Sequence, residues 1–142
     1  MAARSFSILV VDDDPSIRKM VIAALKRDGP AYSFTEASNG RDALDVMRDH
    51  LPDVVVLDLM MPIVSGWDVL RERAGDEELR KIPVIVVSAN RDPELATAMQ
   101  GGICAFLPKP FDIGALSALV RSCITSPAPP SPGHQSPQSL PC

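Results

Sequence analysis

Short apolar runs alternate along this chain with stretches in which apolar residues recur every three or four positions. Phe6–Val11 (FSILVV), Tyr32–Ala37, Asp53–Leu57 (DVVVL), Pro83–Val87 (PVIVV) and Ile103–Leu107 have strand length. The runs at Asp53 and Pro83 are apolar almost without interruption, as in strands covered on both faces. Helical patterns lie between them. Asp14 is placed to cap the first, Pro15 suits its opening turn, and Ile17, Met20, Val21, Ala24 and Leu25 form one apolar stripe up to Gly29-Pro30. Asn39-Gly40 opens a second helix with Ala43, Leu44 and Met47 inward, and a short third follows Ser65-Gly66 with Val69 and Leu70. A fourth spans Pro93–Gln100 before Gly101-Gly102. The last, Asp112–Ile124, buries Ile113, Leu116, Leu119, Val120 and Cys123.

Five strand-then-helix repeats with crossovers of this length predict parallel strands joined by right-handed connections, a three-layer α/β sandwich. The pattern stops after Ile124. Residues 125–142 hold six of the fourteen prolines and almost no apolar content, so a Pro/Ser-rich disordered tail or truncated linker is expected after a domain spanning 1–124. The 142 residues leave no room for a second domain. A net charge of −4 with scattered Lys and Arg argues against direct nucleic-acid binding. No apolar run is long enough to span a bilayer and no signal peptide is apparent, which predicts a cytoplasmic protein without membrane insertion. Cys104, Cys123 and Cys142 lack metal-site spacing and are expected to be buried or incidental thiols in a reducing cytosol.

In folds of this kind functional groups gather beyond the carboxyl ends of the strands. The first strand ends in Asp12-Asp13-Asp14, the third in Asp58, the fourth in Ser88-Ala89, and the fifth leads to Lys109-Pro110. Each residue has an ordinary reading: acids are common in strand-to-helix turns, Ser88 suits a cap, and Lys109 suits a solvated surface. Their arrival on one edge changes the weighing. Two carboxylates about 5 Å apart repel by roughly 3 kcal/mol at an effective dielectric near 20. Three together call for a raised pKa, a cation, or both, and an oxygen-lined site with room for water and phosphate suits Mg²⁺.

At these residues the chain resembles the receiver domains of response regulators in two-component signalling, in their single-domain, chemotaxis-regulator-like form. ILVVDDDPSIRKMV is similar to the family's first strand and acidic pair, and VVVLDLMMPIVSGWDVL to its phosphoacceptor segment, with Pro62 and Gly66 in place. PVIVVSA matches the fourth strand with its hydroxyl residue, and AFLPKPF the fifth with its aromatic and Lys-Pro pair. The resemblance covers about Phe6 to Ile124. It implies a flavodoxin-like (βα)5 fold with sheet order 2-1-3-4-5.

The resemblance also implies roles. Asp58 would take a phosphoryl group from a phosphohistidine on a sensor histidine kinase or histidine phosphotransfer protein. Mg²⁺ would be held by Asp13, Asp58 and the backbone carbonyl of Met60, with Asp12 acting through water or on Lys109. Lys109 would pair with Asp58 at rest and with a phosphoryl oxygen afterwards, and Ser88 would move to a second phosphoryl oxygen. Phe106 would fill the space that Ser88 vacates, altering the face of the fourth helix, fifth strand and fifth helix. That face would meet a downstream effector or a second copy of the chain. The Lys109-Pro110 bond would be cis. No enzyme acting on metabolites is implied, only self-phosphorylation and autodephosphorylation. Two other classes compete: a phosphatase of the haloacid-dehalogenase type using Asp12 and Asp14, and a phosphorylation-independent interaction module. Flavin binding is weaker, since no phosphate-cradling loop follows the first strand.

Overall fold

The computed structural model describes residues 5–28, 32–61, 63–89, 103–109 and 111–125. Five strands, β1 (Phe6–Val11), β2 (Tyr32–Ala37), β3 (Val54–Asp58), β4 (Val84–Ser88) and β5 (Ala105–Pro108), form one parallel sheet in the order β2-β1-β3-β4-β5. The described helices are α1 (Pro15–Asp28), α2 (Gly40–His50), α3 (Gly66–Ala74) and α4 (Ile113–Thr125). The helix expected over Pro93–Gln100 lies outside the described residues, as do Pro110 and the tail beyond Thr125.

Strand alternation divides the core in two. Leu9, Val11, Val55, Leu57, Val84 and Val86 face α2 and α3, where Ala43, Leu44, Met47, Val69 and Leu70 meet them. Ile8, Val10, Val54, Val56, Ile85 and Val87 face α1 and α4, against Val21, Leu25, Leu116 and Val120. With both faces covered, continuous apolar strands are what burial requires. Met20 departs from the expected stripe. It is exposed, and Ile22 packs against the core beside Val21.

Helix starts follow local chemistry. The Asp14 carboxylate accepts from the Ser16 backbone N–H at 2.9 Å, capping α1 as expected. Asn39 caps α2 by accepting from Asp42 N, and Ser65 with Asp68 forms a reciprocal capping box on α3. A 3-10 turn at Leu79–Lys81, which the sequence pattern had not marked, precedes β4.

Three strand ends lie one residue beyond expectation, two of them at candidate site residues. Asp58 and Ser88 are the last residues of β3 and β4 instead of the first residues after them. Pro108 closes β5, where a missing N–H is tolerable because β5 lies at the sheet edge. Pairing then resumes, as the Lys109 N–H donates to the Ser88 carbonyl at 3.0 Å.

The cysteine expectation is overturned. Cys104 and Cys123 are joined by a disulfide, with Cα atoms 6.8 Å apart. The chain turns back between β5 and α4, so residues 19 apart in sequence meet across the strand–helix layer. Among the described residues no helix is long and apolar enough to cross a membrane.

Candidate functional site

Sheet register sets the site. Val11 is level with Leu57, and Asp58 with Val87, so the residue after β1 and the last residue of β3 emerge side by side. Carboxylate oxygens of Asp12, Asp13 and Asp58 lie within 4.8 Å of one another; Asp12 and Asp58 are buried, and Asp13 is exposed. Lys109 reaches over from the end of β5. Its Nζ donates to Asp12 Oδ2 at 3.3 Å and lies 3.6 Å from Asp58 Oδ2. The ammonium therefore bridges two carboxylates, closer to Asp12 than to Asp58.

Asp12 is held on every side. Its N–H donates to the Ala37 carbonyl at 3.1 Å, its carbonyl accepts from Arg18 Nη1 at 2.6 Å, and its Oδ1 accepts from the Asp14 N–H at 2.9 Å. Asp12 and Asp14, the pair a haloacid-dehalogenase-type phosphatase would use, are thus engaged in building a turn and capping α1. Asp58 sits differently. Its Oδ1 accepts the Met60 N–H at 3.2 Å, leaving Oδ2 toward the lysine and the acid pair.

Burial pushes the Asp58 carboxyl above its ordinary value of 3.8; Lys109 opposes this, Asp12 and Asp13 add to it, and the Met60 N–H opposes it. Desolvation and like charge together outweigh one ammonium. Three carboxylates facing one lysine leave an excess of two negative charges. The donor set, all carboxylate oxygens with one member exposed, fits a hard divalent cation.

The loop that follows Asp58 is braced by close backbone approaches. A Cβ on Gly66 would lie 2.5 Å from the Asp58 carbonyl oxygen and 2.6 Å from Leu59 Cα, while the Gly66 N–H donates to Leu59 O at 3.0 Å. Gly40 touches the same loop, donating to Val64 O at 2.8 Å where a Cβ would lie 2.5 Å from that oxygen. Ile63 takes a left-handed φ of 69° and is 84% exposed, an uncommon conformation for a β-branched residue.

Ser88 is fully buried at the end of β4, adjacent to Lys109 through the backbone bond. Phe106 is partly buried against the core on the α2 and α3 side. The Met60 side chain is exposed, and its N–H marks how close it runs to Asp58. Pro110 lies outside the described residues. Two arginines passed unnoticed in the sequence. Arg18 grips the end of β1; Arg73, 2% exposed, donates to the carbonyls of Arg80 and Ile82 before β4, and burial lowers its pKa to about 10.

A parallel sheet of this order, with buried acids and a lysine at its carboxyl edge, defines a class, and comparison with known proteins agrees with it. Residues 8–121 match the family model described as the response regulator receiver domain. The response regulator Rre1 of Synechocystis sp. is 36% identical over 123 residues, covering 86% of this chain and 53% of that protein. MprA of Mycolicibacterium vanbaalenii, also a response regulator, is 38% identical over 126 residues, covering 86% and 52%. The receiver domain of Francisella response regulator 1452 superposes with a TM-score of 0.76 at 29% identity, over 84% of this chain and 97% of that one. Chemotaxis response regulator CheY4 of Vibrio cholerae gives 0.73 at 27%, over 84% and 98%. The chain belongs to the response regulator receiver family. It spans about half the length of the curated relatives it matches.

Proposed function

We propose that Asp58 is the phosphoacceptor of a two-component phosphorelay, charged by the phosphohistidine of a sensor histidine kinase or histidine phosphotransfer protein. The observation that carries this is Lys109 Nζ set between Asp12 and Asp58 above the three-carboxylate cluster. An Asp58 oxygen attacks phosphorus, the phosphorus–nitrogen bond to the imidazole breaks, and an acyl phosphate forms on Asp58. Such transfer depends on positioning and charge neutralisation more than on covalent help.

Asp12, Asp13 and Asp58, with the Met60 carbonyl, would hold Mg²⁺, which supplies neutralisation of the phosphoryl oxygens. Lys109 turns from Asp58 to a phosphoryl oxygen, and the Ser88 hydroxyl takes another. Phe106, packed against the core on the α2 and α3 side, fills the space that Ser88 vacates. This alters the face of β5, α4 and the helix expected over Pro93–Gln100, which meets a downstream effector protein or a second copy of the chain. The chain acts as a self-phosphorylating acceptor, not as an enzyme turning over metabolites, and works in the cytoplasm beside its kinase.

The test is incubation with acetyl phosphate and Mg²⁺, followed by mass measurement. Wild type is expected to gain about 80 Da, the mass of one phosphoryl group, in base-labile form, and Asp58→Asn to gain none. No uptake by wild type, or equal uptake by Asp58→Asn, sinks the reading. Inactivation confined to Asp12→Asn, with turnover of a phosphate ester, would move the chemistry to the phosphatase class.

A further inference from the structure

Asp13 is the exposed member of the acidic cluster, and among the described residues it makes no hydrogen bond or ion pair. Its carboxylate is therefore aimed by the main chain alone. The peptide joining Asp12 to Asp13 is planar, so whatever fixes the Asp12 carbonyl also fixes the Asp13 nitrogen and the direction of its Cα. Arg18 is that fixture. From the second turn of α1 its Nη1 donates to Asp12 O at 2.6 Å, while its Nε donates to Glu36 Oε1 at 2.7 Å.

We infer that Arg18, oriented by Glu36, is a positioning residue for the metal site, setting the Asp12–Asp13 peptide so that Asp13 can ligate a divalent cation. This rests on reading the acidic cluster as a metal site. The ion pair by itself is a poor reason for the arrangement. Glu36 is 44% exposed, and pairs of that kind contribute little to stability. A planar guanidinium can meet both acceptors at once with fixed geometry; a lysine can meet only one of them well. Asp12 is already tied through its N–H and both side-chain oxygens, so the carbonyl is the remaining freedom in its peptide, and Arg18 removes it.

Outer-shell partners of this kind typically govern metal affinity ten- to a hundredfold. The test is Mn²⁺ binding to the full chain without phosphodonor, read by loss of the free-ion electron paramagnetic resonance signal, with melting followed in parallel. Arg18→Ala is expected to bind Mn²⁺ at least about tenfold more weakly than wild type. Arg18→Lys, keeping one donor for the carbonyl, should fall between them. Wild-type affinity in Arg18→Ala, with or without a lower melting temperature, overturns the inference by making Arg18 merely structural. Should Arg18→Ala fail to fold, wild-type affinity in Arg18→Lys overturns it instead. Absence of Mn²⁺ binding by wild type is a different failure, which removes the metal-site reading and this inference with it.

Discussion

At the scale of single residues, the burial of Asp58 costs stability. Its raised pKa means that the folded state holds the proton more tightly than the unfolded chain does. Below the ordinary value of 3.8 the carboxyl is protonated in both states and contributes no difference. As pH rises through the window from 3.8 to the folded value, the unfolded chain loses its proton first and folding stability falls; above the window the loss is complete. The amide introduced by Asp58→Asn cannot ionise, yet its oxygen can still accept the Met60 N–H. This variant should therefore melt a few degrees above wild type at about pH 7 without divalent cation, with the gap closing toward about pH 3. Thermal melting by circular dichroism at the two pH values checks this, and a less stable variant at neutral pH contradicts it. The acids and Lys109 were legible in the sequence because strand ends place them without any knowledge of side-chain contacts. Arg18 and Arg73 were not. On a helix they read as members of a solvated face, and only the folded path of the chain shows which carbonyls they reach.

At the scale of elements, the β3–α3 connection is where packing and chemistry meet. Gly66 serves α3 as its first residue and Asp58 as a neighbour in van der Waals contact. A methyl group at Gly66 would have to displace backbone, not a flexible side chain, since the nearest atoms are Asp58 O and Leu59 Cα. Overpacking of this kind costs about 1–3 kcal/mol. Gly66→Ala should thus lose that much stability in urea unfolding and take up phosphoryl groups from acetyl phosphate more slowly. Wild-type stability together with a wild-type rate would show that the loop gives way without moving Asp58. The existence and type of every described major element could be read from apolar runs, because strands covered on both faces leave an unmistakable signature. Ends were harder. Asp58 and Ser88 belong to their strands through ladder partners that local composition cannot reveal. Met20 fell outside its stripe because helix spacing permits two neighbouring faces, and the sheet selects one.

At the scale of the whole molecule, the Cys104–Cys123 bond ties the edge strand to the last helix. The segment it closes contains Phe106 and Lys109, so both lie inside a covalent loop. Spacing of 19 residues gave no hint of this, as pairing depends on where β5 and α4 return to each other. Loops near 15 residues are worth about 3 kcal/mol through restriction of the unfolded chain, and a similar contribution is expected here. A reducing cytoplasm would hold the same two cysteines as thiols, and the domain would then rely on its two-sided apolar core alone. Thiol titration of unfolded, unreduced protein should accordingly find no more than one free thiol per chain, with Cys142 its source. Dithiothreitol or Cys123→Ser should lower unfolding stability by about 3 kcal/mol. Three free thiols, joined with indifference of stability to reductant, would show that the bond does not form in solution. Phosphorylation of Asp58 should survive reduction, because Lys109 is also held by its backbone bond to Ser88 and its ion pairs to Asp12 and Asp58.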